Sequence, residues 1–479
     1  MLERMGMSRD VLDRARRSRD ARFDGKFFIA VTSTGIYCRT ICPAKTSKDA
    51  NVRYYATAAE AAEAGFRPCL RCRPESAPGS PAWLGTSAVV RRGLRLIQDG
   101  ALDLSSVEEL ATRLGVGARH LGRLFNKHLG ASPMAVARTR RLHFAKQLLD
   151  ETRLPITQIA LASGFGSVRR FNAAFKNTYR RSPRDVRKTP HHDADAEIRL
   201  RLTYRRPYDW AWMIESLARQ AISGLESVAE GVYRRAVRTV SGHAIVEVRQ
   251  LAGTDALELR ILGGEASDLL ALASAARRVF DLSADPHRIW EVLARDPQLR
   301  PPLTHRPGLR IPGHWELWES CVRALVRHEA GADREQMLLS RLVAAAGEAI
   351  PASGGVHFLF PGPARLARAA ADLGECPPAL PARLSATAGE VARRGACGEA
   401  LEGAIRQALA PTPEVHWVSE HLALFGQGDP DALPCAAAAL HERLAHADGS
   451  LSEKQLQART ESWRPFRGYA ALHLLHEEH

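Results

Sequence analysis

The chain has 479 residues, 45% hydrophobic and 25% charged, which is ordinary for a soluble globular protein but too long for a single core, so three or four domains are expected. Its net charge of +14 predicts a polyanionic partner, and the charge is placed unevenly: residues 84–189 carry 20 Lys and Arg against 7 Asp and Glu, residues 1–83 carry 15 against 9, and residues 190–479 carry 32 against 37. No apolar run reaches the ~18 residues of a membrane span, and the N-terminal stretch lacks the apolar core of a signal peptide, so no membrane partner is expected and the cytoplasm is the expected compartment.

Residues 1–78 are expected to form the first domain, followed by a linker at residues 76–80. This domain holds Cys38, Cys42, Cys69 and Cys72, two close pairs separated by 26 residues. In a reducing compartment clustered cysteines argue for metal or catalysis rather than disulfides, and this spacing is that of a four-cysteine zinc site. Spacing alone leaves open a closed, purely structural zinc knuckle. The runs FFIAVTSTGIYCRTICPAKT (residues 27–46) and GFRPCLRCRPE (residues 65–75) resemble the N-terminal domain of the Ada proteins over roughly residues 8–76. The resemblance implies zinc as cofactor and makes Cys38 a nucleophile that takes a methyl group irreversibly from a methylated DNA phosphate, with Cys42, Cys69 and Cys72 completing the ligand shell. The chemistry is reasonable on its own terms. A metal-held thiol is deprotonated at neutral pH, and a methylphosphotriester has lost the charge that would repel an anion. Arg39, Lys45, Arg67, Arg71 and Arg73 are expected to hold neighbouring phosphates. Methylation removes one negative charge from the cluster, so affinity for the DNA backbone is expected to rise.

Residues 84–189 are expected to be helical and to bind DNA. A generic helical bundle would not need the local excess of 13 positive charges or the internal repeat. LATRLGVGARHLGRLFNKHLGASP (residues 110–133) is echoed by IALASGFGSVRRFNAAFKNTYRRSP (residues 159–183), with a Gly-apolar-Gly turn, the pairs Leu121/Phe125 and Phe171/Phe175, and a closing Ser-Pro. Two helix-turn-helix units follow from this repeat. In the first, Val107, Leu110, Ala111 and Leu114 share a face, Ser105 and Ser106 are cap residues ahead of Glu108 and Glu109, Gly115 makes the turn, and a second helix runs over 118–128. The second unit spans 156–179. The pattern resembles the AraC family, which implies double-stranded promoter DNA as partner, transcriptional activation, and RNA polymerase as a candidate partner. Arg119, His120 and Arg123, then Ser167, Arg169, Arg170 and Asn172, are the candidates for the major groove. Two units on one chain are expected to fill successive grooves without a dimer.

A linker near residues 189–194 leads to an α+β domain over 197–283, with strand alternation at 244–249 and 257–261, and then to a mainly helical domain over 284–479. LRLTYRRPYDW (residues 200–210), FDLSADP (residues 280–286), PGLRIPG (residues 307–313) and SWRPFRGYAALHLL (residues 462–475) resemble the AlkA-type DNA-3-methyladenine glycosylases. That implies a helix-hairpin-helix gripping phosphates through glycine amides, and an aspartate assisting departure of the damaged base. The sequence departs from both. The hairpin position reads APTPEVHWVS (residues 410–419) without glycine, putting Pro413, Glu414 and Val415 where backbone must approach a phosphate. After residues 431–434 (DALP) stand Cys435, Ala436, Ala437, Ala438 and Ala439, with no carboxylate where the catalytic acid belongs. Losing that electrostatic contact costs several kcal/mol of barrier. His421 takes an aromatic position of the base pocket, Leu475 ends a segment that the family can end in Trp, and residues 326–336 replace a polar, Gln-rich loop. Three readings of this half stand: a degenerate glycosylase fold kept as scaffold or lesion sensor, an active glycosylase with Asp429 or Asp431 as displaced acid, or a stabilising appendage. Cys321, Cys376, Cys397 and Cys435 are expected as buried apolar residues. A Pro-Cys-His-Arg motif is absent, so repair of O6-methylguanine is not expected.

The fold class that follows is multidomain, mainly α with α+β: a four-cysteine zinc domain, a double helix-turn-helix domain, an α+β domain and a helical glycosylase-like domain. The expected activity is single-turnover methyl transfer coupled to transcriptional activation, with an active DNA-3-methyladenine glycosylase as the alternative.

Overall fold

The computed structural model describes residues 7–74, 77, 88–98, 100–187, 197–370, 374–394, 400–409, 415–433, 440, 444 and 453–476. The hairpin residues 410–414 and the alanines 436–439 lie outside this set, as do Cys397, Cys435 and most of both linkers.

The N-terminal region is a small sheet under one helix. Helix α1 (Arg9–Ser18) starts at Ser8, whose hydroxyl accepts from the Val11 amide. Strands β1 (Phe28–Val31), β2 (Ile36–Cys38), β3 (Val52–Tyr55) and β4 (Arg67–Pro68) assemble in the order β3-β1-β2-β4, with α2 (Ala58–Glu63) between β3 and β4. β1 alternates sides in the usual way: Phe27 and Ile29 pack toward Leu12 of α1, while Phe28 and Ala30 pack with Tyr37 and Tyr55.

The helical region follows the repeat. Helix α3 (Ala88–Gln98) precedes α4 (Val107–Arg113) and α5 (Ala118–Leu129), and the long α6 (Pro133–Glu151) carries the chain to α7 (Ile156–Ala162) and α8 (Val168–Tyr179). Ser106 caps α4 in a reciprocal box with Glu109, as the sequence predicts, while Ser105 turns back on Ala101. Gly115 and Gly164 make the two turns at φ +70° and +74°, a left-handed region in which a Cβ would be strained. The buried Leu121/Phe125 and Phe171/Phe175 pairs pin α5 and α8 to their partners.

The second half opens with an antiparallel five-stranded sheet: β5 (Glu197–Thr203), β6 (Glu226–Ala229), β7 (Val232–Thr239), β8 (Gly242–Gln250) and β9 (Ala256–Gly263), in the order β5-β9-β8-β7-β6. Helices α9 (Trp210–Gln220) and α10 (Leu269–Val279) belong to this part, and the rest is helical, apart from an unanticipated hairpin of Glu348–Ser353 with Val356–Leu359. A buried network joins the sheet to the helices. Arg235 bonds Glu226 at 2.6 Å and Glu319 at 2.5 Å, and Arg323 bonds the same two carboxylates at 3.0 and 2.8 Å. Each charge is paired twice, which is what makes its burial tolerable.

The regions pack tightly on one another. One continuous core joins Leu148, Phe171 and Phe175 of the second helix-turn-helix unit to Leu200, Val246 and Leu270 of the sheet region. Arg73 of the cysteine region pairs with Asp150 at 2.8 Å and Glu151 at 3.4 Å on α6, and Lys26 pairs with Asp285 at 2.7 Å. No helix among the described residues is long and apolar enough to cross a membrane.

Candidate metal centre and nucleic-acid interfaces

The cysteine pairs converge because β2 and β4 lie side by side. Tyr37 pairs with Pro68 in parallel register, and the Cys69 amide donates to the Tyr37 carbonyl at 3.0 Å. Cys38 therefore ends one strand as Cys69 follows its neighbour, and the short turns to Cys42 and Cys72 bring in the other two sulfurs. All four sulfurs lie within 4.8 Å of one another. At that distance the thiols share protons and split apart: Cys42 is pulled down to about 7 by the Cys38 thiol, while Cys38 is pushed upward by Cys42. Four thiolates held this closely need a cation among them, and zinc is the tetrahedral choice for four sulfurs.

A backbone amide supports Cys72 directly, and others favour the thiolates of Cys42 and Cys69. The Arg39 amide donates to Cys72 Sγ at 3.3 Å, and amides of Ala44 and Cys72 favour the thiolates of Cys42 and Cys69. Cys69 and Cys72 are buried, and Cys38 and Cys42 are half-buried.

The basic residues around the centre divide. Lys45 and Arg71 are exposed and Arg67 is half-buried, so they are available to a polyanion. Arg39 is not. Its guanidinium is buried against Asp24, with Nε 2.9 Å from that carboxylate, and Nη1 donates to the Cys72 carbonyl at 3.2 Å. The expectation that it holds a DNA phosphate is corrected: Arg39 is a tie beneath the cluster, because a buried Asp24 must be paired. Arg73 is likewise committed to Asp150 and Glu151. A contribution the sequence did not reveal comes from the second half: a cavity of about 500 Å3 beside Ile41 and Cys72 has Arg201, Arg205 and Arg206 in its wall.

On the helix-turn-helix units Arg119, His120 and Arg123 of α5 and Arg169, Arg170 and Asn172 of α8 are all exposed, on the faces opposite the buried Phe125 and Phe175. Ser167 differs. It is the N-cap of α8 and its hydroxyl accepts from the Arg170 amide at 3.2 Å, so its oxygen serves the helix.

In the second half both candidate substitute acids are engaged. Asp429 pairs with Arg95 of α3 at 3.1 Å. Asp431 pairs with Arg464 and, at 3.2 Å, with Arg467, and burial still raises its pKa. His421 is buried, with its ring centroid 4.6 Å from Phe425 and 5.6 Å from His314. Burial pushes it down to about 3, so it stays neutral and fills space. Leu475 packs on the core of Trp463 and Tyr469.

A metal-organised methyl-acceptor site beside two DNA-reading helix pairs defines a protein class that joins DNA repair to gene regulation. Family models agree: the metal binding domain of Ada matches residues 12–75, a helix-turn-helix domain residues 110–189, and the AlkA N-terminal domain residues 199–316. The chain is 36% identical over 471 residues to the probable bifunctional transcriptional activator/DNA repair enzyme AlkA of Mycobacterium tuberculosis, spanning 96% of this chain and 95% of that one, and it belongs to that family of bifunctional transcriptional activator/DNA repair enzymes. It is also 36% identical over 148 residues to the Ada enzyme of Escherichia coli, covering 31% of this chain and 40% of Ada. To DNA-3-methyladenine glycosylase 2 of the same organism it is 28% identical over 292 residues, covering 58% of this chain and 96% of the relative. The four-cysteine centre is accordingly a zinc site, and DNA is a partner.

Proposed function

We propose that Cys38 is the acceptor in an irreversible methyl transfer from DNA methylphosphotriesters, and that the resulting thioether turns the chain into a promoter-bound activator. The observation that carries this is the convergence of the four sulfurs within 4.8 Å of one another, with Cys38 half-buried while Cys69 and Cys72 are buried. When bound, zinc keeps all four thiols ionised at neutral pH. The Cys38 sulfur attacks the methyl carbon; an S–C bond forms, the C–O bond breaks, and its electron pair leaves on the phosphate oxygen as a phosphodiester anion. Cys38 ends as a thioether, so each chain turns over once. Lys45, Arg67 and Arg71 hold flanking phosphates. Four sulfur charges become three, which favours the DNA backbone and holds α5 and α8 in successive major grooves, from which the activator meets RNA polymerase. The chain is read as four parts, at 1–78, 84–189, 197–283 and 284–479.

The test uses zinc-loaded full-length protein and duplex DNA bearing one methylphosphotriester. Peptide mass mapping is expected to find one methyl group on Cys38 and none in a Cys38→Ser variant. An adduct on Cys42, Cys69 or Cys72 overturns the assignment.

The same structure supports a silent glycosylase fold in the second half. Asp429 and Asp431 are held by arginines, and His421 and Phe425 fill the space beside His314.

A further inference from the structure

A second basic site lies away from the zinc centre, in the joint between the DNA-binding helices and the glycosylase-like half. A cavity of about 260 Å3 is walled on one side by α3 and α6 and on the other by α10 and residues 427–430. Five arginines line it: Arg91, Arg95 and Arg140 from the first half, Arg277 and Arg278 from the second. Two carboxylates share the lining with them, Asp281 and Asp429. Asp281 already accepts from the Ile311 amide at 3.3 Å and from the Tyr469 hydroxyl.

Arg140 is paired with Asp103 at 3.0 Å and bonds Ser274 at 2.9 Å, but the other arginines are not all cancelled locally. Arg278 donates to the carbonyls of Gly426 at 2.8 Å and Trp315 at 3.1 Å. Arg95 reaches Asp429 with one nitrogen, while its other terminal nitrogen is buried without a partner. Among the described residues Arg91 and Arg277 make no hydrogen bond or ion pair; Glu151 acts on Arg277 only through its field, and burial lowers the Arg277 pKa. Uncompensated guanidinium groups in a partly enclosed space are costly without an anion. The remaining wall mixes apolar Phe144, Leu270 and Ala273 with Gln98, Gln147 and Gln427, which suits a flat ring with polar edges.

We propose that this interdomain cavity binds an organic phosphate, its phosphate on the arginines and a flat ring against Phe144 and Leu270. Arginine forks match phosphate oxygens geometrically. The phosphate comes from a free mononucleotide or from a nucleotide of bound DNA, and the chemistry of recognition is common to both. Because the cavity takes its arginines from both halves, an occupant links them, and it lies beside His143, which touches Tyr37 next to the methyl acceptor. The site is separate from the zinc cluster, so methyl transfer to Cys38 serves as an independent control.

The experiment is calorimetric titration of the zinc-loaded full chain with adenosine 5′-monophosphate, with adenosine, and with undamaged duplex DNA as competitor. Saturable binding of the monophosphate is expected, weaker by about tenfold or more for adenosine, and weaker by about tenfold or more in Arg91→Gln and in Arg277→Gln. Arg91 is only half-buried, so its variant stays interpretable if Arg277→Gln fails to fold. Displacement of the monophosphate by duplex assigns the phosphate to DNA, and retention assigns it to a free nucleotide. No saturable binding, equal binding of adenosine, or affinity indifferent to Arg91→Gln overturns the proposal.

Discussion

The Tyr37 hydroxyl lies 2.9 Å from Nε2 of His143. Tyr37 is the residue before the zinc-site Cys38, and His143 sits on α6, the helix that joins the two helix-turn-helix units. Burial pushes the histidine down to about 4, so at neutral pH its ring is uncharged and the pair is a neutral hydrogen bond. Tyr37→Phe removes that bond while keeping the ring packed on Phe28. A lower thermal midpoint is expected, reflecting a loss of about 1–2 kcal/mol, with zinc content unchanged. An unchanged midpoint would show that the contact carries no weight.

Arg39→Ala is expected to act on the fold and not on DNA affinity. It strands Asp24, a carboxylate only 6% exposed, at a cost of about 3–5 kcal/mol. Zinc retention after challenge with a chelator is the measurement. A variant that holds zinc normally but binds DNA weakly would return Arg39 to the DNA face.

The buried histidines of the glycosylase-like half are expected to cost it stability in acid, partly offset by Asp281 and Glu316, whose carboxyl pKa values burial raises to about 6 and about 7. His421 and His473 are buried and pushed down from 6.5 to about 3 and about 4. The unfolded chain therefore binds these protons first, and stability falls as pH drops below about 6.5, continuing until the folded values are reached. For His473 the loss is capped at roughly 3 kcal/mol. Denaturation curves between pH 7 and pH 4 test this, and His421→Phe should flatten the slope.

Arg119→Ala and Arg170→Ala should each cost about 1–3 kcal/mol of specific DNA binding if the side chain reads a base, and should mainly reduce the salt slope if it grips a phosphate. Binding isotherms at several salt concentrations separate the two. Both residues are exposed, so folding should be unaffected; a variant that unfolds would place the residue elsewhere.

Alkylated duplex incubated with the protein is expected to release no free 3-methyladenine, and Asp431→Asn should change nothing. Asp431 is clamped by Arg464 and Arg467 and Asp429 by Arg95, so neither candidate acid is free to stabilise a cationic sugar. Release that disappears in Asp431→Asn would show a working displaced acid.

The zinc centre and the repeat were legible in the chain because their signals are local. Cys38 with Cys42, and Cys69 with Cys72, are separated by two or three residues, a distance that already commits both sulfurs of a pair to one ion. The Gly115 and Gly164 turns and the Ser106 cap with Glu109 likewise depend on neighbours within one or two turns. The hairpin at 348–359 was missed because a short, partly exposed strand pair gives little alternation.

The sequence by itself determined which chemistry the chain displays: four thiols at zinc spacing, two basic helix pairs, and a glycosylase-like half with alanines where an acid is expected. Only the tertiary structure decided how those parts are used. Arg39 looks like any basic residue beside the cluster, and its burial against Asp24 across 15 positions becomes visible only once the strands are assembled. The ties of Arg95 to Asp429 and of Arg73 to Asp150 span 334 and 77 positions. A pairing at that separation leaves no periodicity in the chain, because it is set by how whole elements pack and not by what stands next to what.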